Sequence, residues 1–317
     1  MTKLKEPTLR KVVVDSGKYA TKAVEVTEKG ELNKLKFRTK MEETDESITN
    51  GDETYAIEIN GERYLIGKLA NEIDWDTSKA TELHRYSIYT AIHHFVSAGD
   101  EVALMVGCPL SVYTSRDQRE AYEDYIKADG EVTITVNGEK KTFTIVEINA
   151  LPETSGYLFK NIAKYKNKIF AVIDIGGLNA NCCQYNGKDI IPGTDVTTKS
   201  GMNTLYKTIQ LQLNKAFESN LQEIHVEQFM TQDKSQWFIK KDKEKSHKLI
   251  LKIVLEHVKG IYTNLKSKGW DLENMDFIFV GGGSLSLTDE IKEVFGEDVI
   301  ISETGVWDNA EGFSLLL

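Results

Sequence analysis

Val12-Val13-Val14-Asp15-Ser16-Gly17-Lys18 and Ala171-Val172-Ile173-Asp174-Ile175-Gly176-Gly177 are two renderings of one pattern. Each is a short, mostly β-branched apolar run that ends in aspartate and then reaches glycine. A continuous apolar run of this length fits a strand buried on both faces, although periodicity alone leaves a buried helix open. The aspartate then stands where the chain leaves the sheet, and the glycine permits positive φ and close approach of the backbone to a ligand. Successive N–H groups in such a turn form an anion-binding nest. A carboxylate beside a polyanion needs a cation between them, and Mg²⁺ is commonly held by one or two carboxylates together with phosphates and waters. Two facing Asp-turns therefore predict a nucleotide triphosphate between them, with Asp15 and Asp174 serving a hydrated Mg²⁺. One strand-Asp-x-Gly is usually just a turn; its recurrence in both halves is what carries weight.

With 317 residues the chain is long enough for two domains, and its 40% hydrophobic content suffices for ordinary cores. There is no run of eighteen apolar residues, so no membrane span is expected. The opening residues Met1 to Pro7 lack an apolar segment, so no secretory signal is expected either. Cys108, Cys182 and Cys183 have no metal-ligand spacing and no disulfide framework, which fits a reducing cytoplasm. A net charge of −10 argues against broad, direct nucleic-acid binding.

The pattern along the chain predicts strands at 11–15, 19–27 and 35–38, a polar loop at 44–53, and a hairpin of 55–59 with 63–66 about the Asn60-Gly61 turn. A helix is predicted over 77–98, its apolar face made by Leu83, Ile88, Ala91, Ile92, Phe95 and Val96. His84, His93 and His94 read as ordinary residues of that helix. Further on come a strand at 101–106, a helix capped by Ser115, a hairpin of 131–136 with 141–148, and a helix to about Lys164. The second half repeats the plan: strands at 169–173 and 179–185, a helix from Ser200-Gly201 to Phe217, and a helix over 246–266. A strand at 276–280 enters Gly281-Gly282-Gly283-Ser284, a generic strand-to-helix turn that could approach a flat or anionic ligand. Ser286 or Thr288 is expected to cap the next helix, followed by a strand at 298–301 and a helix over 308–317. Leu205, Ile209, Leu213 and Phe217 recur at four-residue spacing as a core stripe. The repeated order predicts a duplicated fold, with domain I at 1–168 joined by a returning helix at about 305–317, and domain II at 169–304.

Three more stretches bear on chemistry. Glu153, after a strand and Pro152, is placed to orient an attacking water, although an acid near a helix N-terminus also needs no other role than opposing the dipole. The glycine run 281–283 lacks the Gly-Lys-Ser/Thr of a Walker loop, and neither Asp-turn matches the dinucleotide fingerprint. Ala310 and Gly312 suit a close helix crossing or hinge.

Taken in order, these stretches resemble the actin and sugar-kinase ATPase superfamily over almost the whole chain. Asp15 to Lys18 matches its first phosphate loop, Leu151 to Tyr157 its first connection, Asp174 to Gly177 its second phosphate loop, Gly281 to Ser284 its adenosine loop, and Asp308 to Phe313 its second connection. Length and the Pro152-Glu153 pair resemble the bacterial actin-like proteins, especially the ParM family of plasmid segregation. The resemblance implies an α/β fold of two domains, each with a mixed central sheet, and a nucleotide cleft between them. It implies ATP or GTP with Mg²⁺, Asp15 and Asp174 arranging the metal through water, and Glu153 and Asp174 as the catalytic pair. Backbone of Ser16, Gly17, Lys18 and Tyr19, and of Gly176, Gly177, Leu178 and Asn179, would hold phosphates. Lys22 would contact phosphate, and Gly201, Asn203, Gly281, Gly282, Gly283 and Ser284 would approach the nucleoside. Lys18 stands where Ser or Thr is often found, and Asn179 where Thr is frequent. The implied behaviour is a cytoplasmic ATPase that assembles head-to-tail with itself and couples to plasmid DNA through a DNA-bound adaptor, without membrane contact or direct nucleic-acid binding. A small-metabolite kinase of the same superfamily, or a nucleotide-sensing scaffold without turnover, are the alternatives.

Overall fold

The computed structural model describes residues 7–44, 51–73 and 78–317. Part of the loop expected at 44–53, the start of the helix expected at Thr77, and the opening residues up to Glu6 lie outside the described residues. The chain divides into two compact units, Met1–Asn161 with Trp307–Leu317, and Ile162–Val306.

In the first unit β1 (Leu9–Ser16) and β2 (Ala20–Val26) form the predicted hairpin, extended by β3 (Leu32–Arg38). β4 (Met41–Glu43), β5 (Thr54–Ile59) and β6 (Glu62–Gly67) follow, then helix α1 (Glu82–Phe95). β7 (Glu101–Cys108) leads to α2 (Leu110–Tyr113) and α3 (Arg116–Lys127), and β8 (Glu131–Val136) pairs with the long β9 (Glu139–Pro152). The sheet order is β3-β2-β1-β7-β9-β8-β5-β6-β4. Val12, Val13 and Val14 are all fully buried, as a strand covered on both faces requires. Val12 and Val14 pack with Ile88 and Ile92 of α1, while Val13 packs with Ala310 and Phe313 of α10 (Asp308–Ser314).

The second unit uses β10 (Ile169–Ile175), β11 (Ala180–Asn186), β12 (Asp189–Ile190), β13 (Val196–Thr198), β14 (Asp276–Val280) and β15 (Ile300–Ile301), in the order β12-β11-β10-β14-β15 with β13 beside β11. Here β10 is antiparallel to β11 and parallel to β14. In the first unit β1 is likewise antiparallel to β2 and parallel to β7. Each Asp-turn strand thus has a hairpin partner on one side and a parallel neighbour on the other, which is the duplication the sequence order predicts. Leu205, Ile209 and Leu213 of α5 (Met202–Phe217) are fully buried with Ile250, Val254 and Val258 of α7 (Lys243–Ser267), and Phe217 is partly buried at the edge.

Several boundaries depart from the sequence reading. The first long helix starts at Glu82 and ends at Phe95, leaving Val96 as a buried residue in extended conformation beyond it. α4 (Gly156–Tyr165) is broken at Asn161, whose φ of −129° and ψ of 21° are not helical, where the chain leaves the first unit. α2 and α6 (Glu223–Met230) have too few turns for their periodicity to be read. The glycine run is not a bare turn, because Gly282–Ser286 is helical (α8). α9 (Thr288–Phe295) has no side-chain cap, for the Thr288 hydroxyl donates backward to Ser284 and Leu285 carbonyls and Ser286 belongs to α8. α10 ends at Ser314 instead of continuing to Leu317.

α7 begins at Lys243 because Asp242 caps it, its Oδ1 accepting from the Lys245 amide at 3.1 Å. Ser246 lies inside the first turn, with its hydroxyl accepting from the Ile239 amide at 3.0 Å. Asp242→Ala is expected to lower stability by about 1 kcal/mol, read as a shift in the urea midpoint at unchanged slope.

Candidate functional site

Three parallel central strands of the first unit, β1, β7 and β9, bring Asp15, Gly107 and Glu153 together at their carboxyl ends. The carboxyl ends of parallel strands are where open α/β sheets bind ligands, because neither a pleat nor a helix covers them there. Gly107 sits between the two acids: a Cβ built on it would lie 3.0 Å from Asp15 Oδ1 and 3.6 Å from Glu153 Cγ. The Glu153 amide donates to the Cys108 carbonyl at 3.2 Å, fixing the acid beside the end of β7.

Both acids are buried and both have a lysine. The hairpin register sets Lys22 directly opposite Asp15, and its Nζ donates to Asp15 Oδ2 at 3.0 Å. A Cβ on Gly17 would stand 3.2 Å from the same ammonium and 2.9 Å from the Ala20 carbonyl, so glycine is what lets the turn close. The Gly17 amide donates to the Asp15 carbonyl at 3.0 Å. Lys79, also buried, donates to the Ser16 carbonyl at 2.8 Å and forms an ion pair with Glu153 Oε1. Burial pushes the Asp15 carboxyl upward, but the Lys22 and Lys79 ammoniums and hydrogen bonds from Lys22 and Asn309 outweigh it, holding the group below its ordinary value. Asp15 is therefore ionised at neutral pH.

The turn is anchored from behind by hydroxyls and an imidazole. Ser16 Oγ lies 2.9 Å from His84 Nδ1, and Thr21 links to Thr39 at 2.9 Å. Burial first, then the nearby Lys79 and Lys18 charges, drive the His84 imidazole well below its ordinary value. His84 lies in α1 as the sequence suggests and its ring also backs Ser16, whereas His93 meets the Glu139 carbonyl at 2.9 Å. Because folded His84 resists protonation, stability is full above about pH 6.5 and falls as pH drops below it, where the unfolded chain alone takes up the proton. Wild type should lose up to about 1.4 kcal/mol per pH unit from this residue between pH 6.5 and 5. His84→Gln should flatten that slope in urea titrations at stepped pH.

In the second unit Asp174, the penultimate residue of β10, lies beside Gly281, which has a φ of +85°. A Cβ at Gly281 would come within 2.2 Å of Asp174 Oδ1. Gly283 is packed on Ile175, and Ser284 turns its hydroxyl to the Val280 carbonyl at 2.5 Å. The second turn is stitched to the start of α5: the Met202 amide donates to the Gly176 carbonyl at 3.0 Å and the Asn203 amide to the Gly177 carbonyl at 2.8 Å. The Gly201 amide meets the Leu178 carbonyl at 3.1 Å, and the Gly176 amide meets the Asn179 carbonyl at 3.0 Å. Gly201 has no room for a side chain, since its Cβ would lie 2.4 Å from the Gly177 carbonyl oxygen. Gly281 thus lies directly against Asp174, while Gly283 packs on Ile175 and Gly201 on the backbone of residues 177–179.

The first unit brings together Asp15, Ser16, Gly17, Lys22 and Glu153 from the expected set. Lys18 and Tyr19 continue the turn, with the Arg38 guanidinium 3.7 Å above the Tyr19 ring. The second unit brings together Asp174, Gly176 to Asn179, Gly201, Asn203 and Gly281 to Ser284. Lys79, Gly107, His84 and Asn309 were missed. The short Asp15-to-Lys22 hairpin was the available signal for its ion pair, and nothing comparable marked Lys79. Among the described residues, no three His, Cys, Asp or Glu side chains are grouped to hold a metal ion directly. An ionised Asp15 beside bare backbone fits a hydrated cation of the Mg²⁺ type, which keeps its waters and takes few carboxylates. Among the described residues no helix is long and apolar enough to cross a membrane.

Residues 14–156 match the family model for the N-terminal domain of actin-like proteins. The fold matches an archaeal actin homolog, Ta0583, at 16% identity and TM-score 0.79, over 97% of this chain and 98% of that one. The Ta0583 homolog is also known in complex with ADP. Alp12, known as a filament structure, matches at 28% identity and TM-score 0.70, over 98% of both chains. A subunit of a 15-stranded ParM filament from Clostridium botulinum matches at 17% identity and TM-score 0.73, over 98% of this chain and 100% of that one. No curated protein matches by sequence.

Proposed function

We propose, from the premise that residues 14–156 match the family model for the N-terminal domain of actin-like proteins and that the whole chain has the actin-like fold, that this protein is a filament-forming ATPase of the plasmid-segregating kind. The observation that carries the reading is the pair of buried acids, Asp15 and Glu153, flanking Gly107 at the ends of parallel strands with a lysine on each. Phosphoryl transfer to water asks a protein chiefly for positioning and for charge placed where charge develops. Glu153 orients the attacking water and draws its proton. Asp15 and Asp174 are the residues that would hold a hydrated Mg²⁺, and the metal when bound would neutralise phosphate charge. Lys22 faces the phosphates, and the two glycine turns offer backbone N–H groups to them. Gly281 to Ser284, Gly201 and Asn203 lie on the nucleoside side, and ATP or GTP is the nucleotide.

Alp12 and the Clostridium ParM, both known as filaments, support self-assembly for this chain. AlfA, from a Bacillus subtilis plasmid, is another filament of this fold, and plasmid DNA is the cargo in this reading. A head-to-tail contact is heterologous and generates an open filament. With a net charge of −10, the chain would reach DNA through a basic adaptor already bound there, in the cytoplasm.

Right-angle light scattering on adding Mg-ATP, with phosphate release followed in parallel, tests this. Scattering that rises above a critical protein concentration and decays as phosphate appears is the expected result. Flat scattering with phosphate passed to a small acceptor would replace this reading by a metabolite kinase, and nucleotide binding without turnover by a sensing scaffold.

A further inference from the structure

Lys79 is the least expected member of the site. It is 3% exposed, and its backbone φ of +60° is one that side-chain-bearing residues rarely adopt. Its ammonium is held inward by two acceptors. Of its three N–H donors, one goes to the Ser16 carbonyl at 2.8 Å and one to Glu153 Oε1. Those two acceptors belong to different segments, the first Asp-turn and the end of β9. A carboxylate with one oxygen pinned by an ammonium can turn only about that bond, and its second oxygen remains to take a hydrogen bond from water.

We propose that Lys79 is a positioning residue for hydrolysis: it locks the Glu153 carboxylate to the first Asp-turn, so that Glu153 Oε2 receives the attacking water in one fixed orientation. The inference rests on the ATPase reading above. In the step concerned, the water oxygen bonds to the terminal phosphorus. The bond from that phosphorus to the bridging oxygen breaks, and its electron pair leaves on the nucleoside diphosphate. The water proton passes to Glu153 and then to solvent. Lys79 forms and breaks no covalent bond. Its ammonium also lies close enough to help hold Asp15 ionised, so one cation steadies both acids of the site.

The test measures kcat and KM for Mg-ATP in wild type, Lys79→Met, Lys79→Arg, Glu153→Gln and the Lys79→Met/Glu153→Gln double variant, with binding of a fluorescent ATP analogue and urea unfolding on each. Lys79→Met is expected to lower kcat about 100-fold with KM within about threefold, and Lys79→Arg to recover to within about tenfold of wild type. The double variant is expected to be no slower than Glu153→Gln alone, because Lys79 acts through that carboxylate. If Lys79→Met does not fold, the double variant, which leaves no unpaired carboxylate at 153, still decides. A double variant slower than Glu153→Gln, or a loss confined to KM, overturns the proposal while leaving the ATPase reading intact. Wild type without turnover overturns the ATPase reading and this proposal with it.

Discussion

Exchanging Glu153 for glutamine should slow nucleotide hydrolysis about 10²–10⁴-fold while nucleotide affinity stays within a few fold. Glutamine has the same shape, and its amide oxygen can still accept from Lys79. What it lacks is the negative charge that orients water and takes its proton. The affinity should survive because the groups proposed above to face the phosphates, Lys22 on Asp15 and the glycine turns, are untouched. In the scattering assay the variant should assemble with Mg-ATP and then fail to decay, so that the polymer outlasts the wild-type polymer. A decay that matches wild type, with phosphate release unchanged, would remove Glu153 from the chemistry and leave it the plain role of an acid at the end of a strand.

Gly312→Ala should cost about 3 kcal/mol or more of stability in the first unit. A Cβ at Gly312 would lie 2.0 Å from the Gly156 carbonyl oxygen and 2.6 Å from its Cα. Those are backbone atoms, which cannot rotate aside, so α10 must lift from α4. Ala310 and Phe313, fully buried against Val13, would lose part of that packing, and Asn309 would leave Asp15. Gly156 faces the same limit from the other side, its Cβ falling 2.3 Å from the Asp308 carbonyl oxygen. Gly260 is the control. It lies within α7 with nothing inside 4 Å of its built Cβ, so Gly260→Ala should stabilise by up to about 1 kcal/mol. Urea midpoints of the two variants should move in opposite directions.

The parts of the fold that could be read from sequence are those where one physical demand fixes several adjacent residues. Val12-Val13-Val14 and Ala171-Val172-Ile173 fit a doubly covered strand, which the Asp and Gly that follow favour over a buried helix by marking where the chain leaves the sheet. Ala310 and Gly312 were readable as a close crossing because small residues there have few other reasons. Lys79 was not readable, since a lysine among polar residues looks solvated and its burial comes entirely from tertiary packing. Gly107 looked like one strand-ending glycine among many; its meaning depends on two acids from other strands. His84 follows the helical pattern of its neighbours, and only the fold reveals that it backs Ser16. The glycine run at 281–283 misled locally, because glycine disfavours a helix that β14 and Ile175 impose by contact.

One further consequence concerns timing. The first unit is discontinuous in sequence: α10, which covers Val13, Val24 and Met105 and brings Asn309 to Asp15, comes after the whole of the second. On the ribosome, roughly 145 residues separate Asn161 from Trp307, about seven to thirty seconds of synthesis at ~5–20 residues per second. Through that interval the second unit can fold as an unbroken stretch, while the first waits with an apolar face uncovered. The nascent chain is then a natural client for a holdase, and its first acid acquires its last partner after nearly everything else has been made.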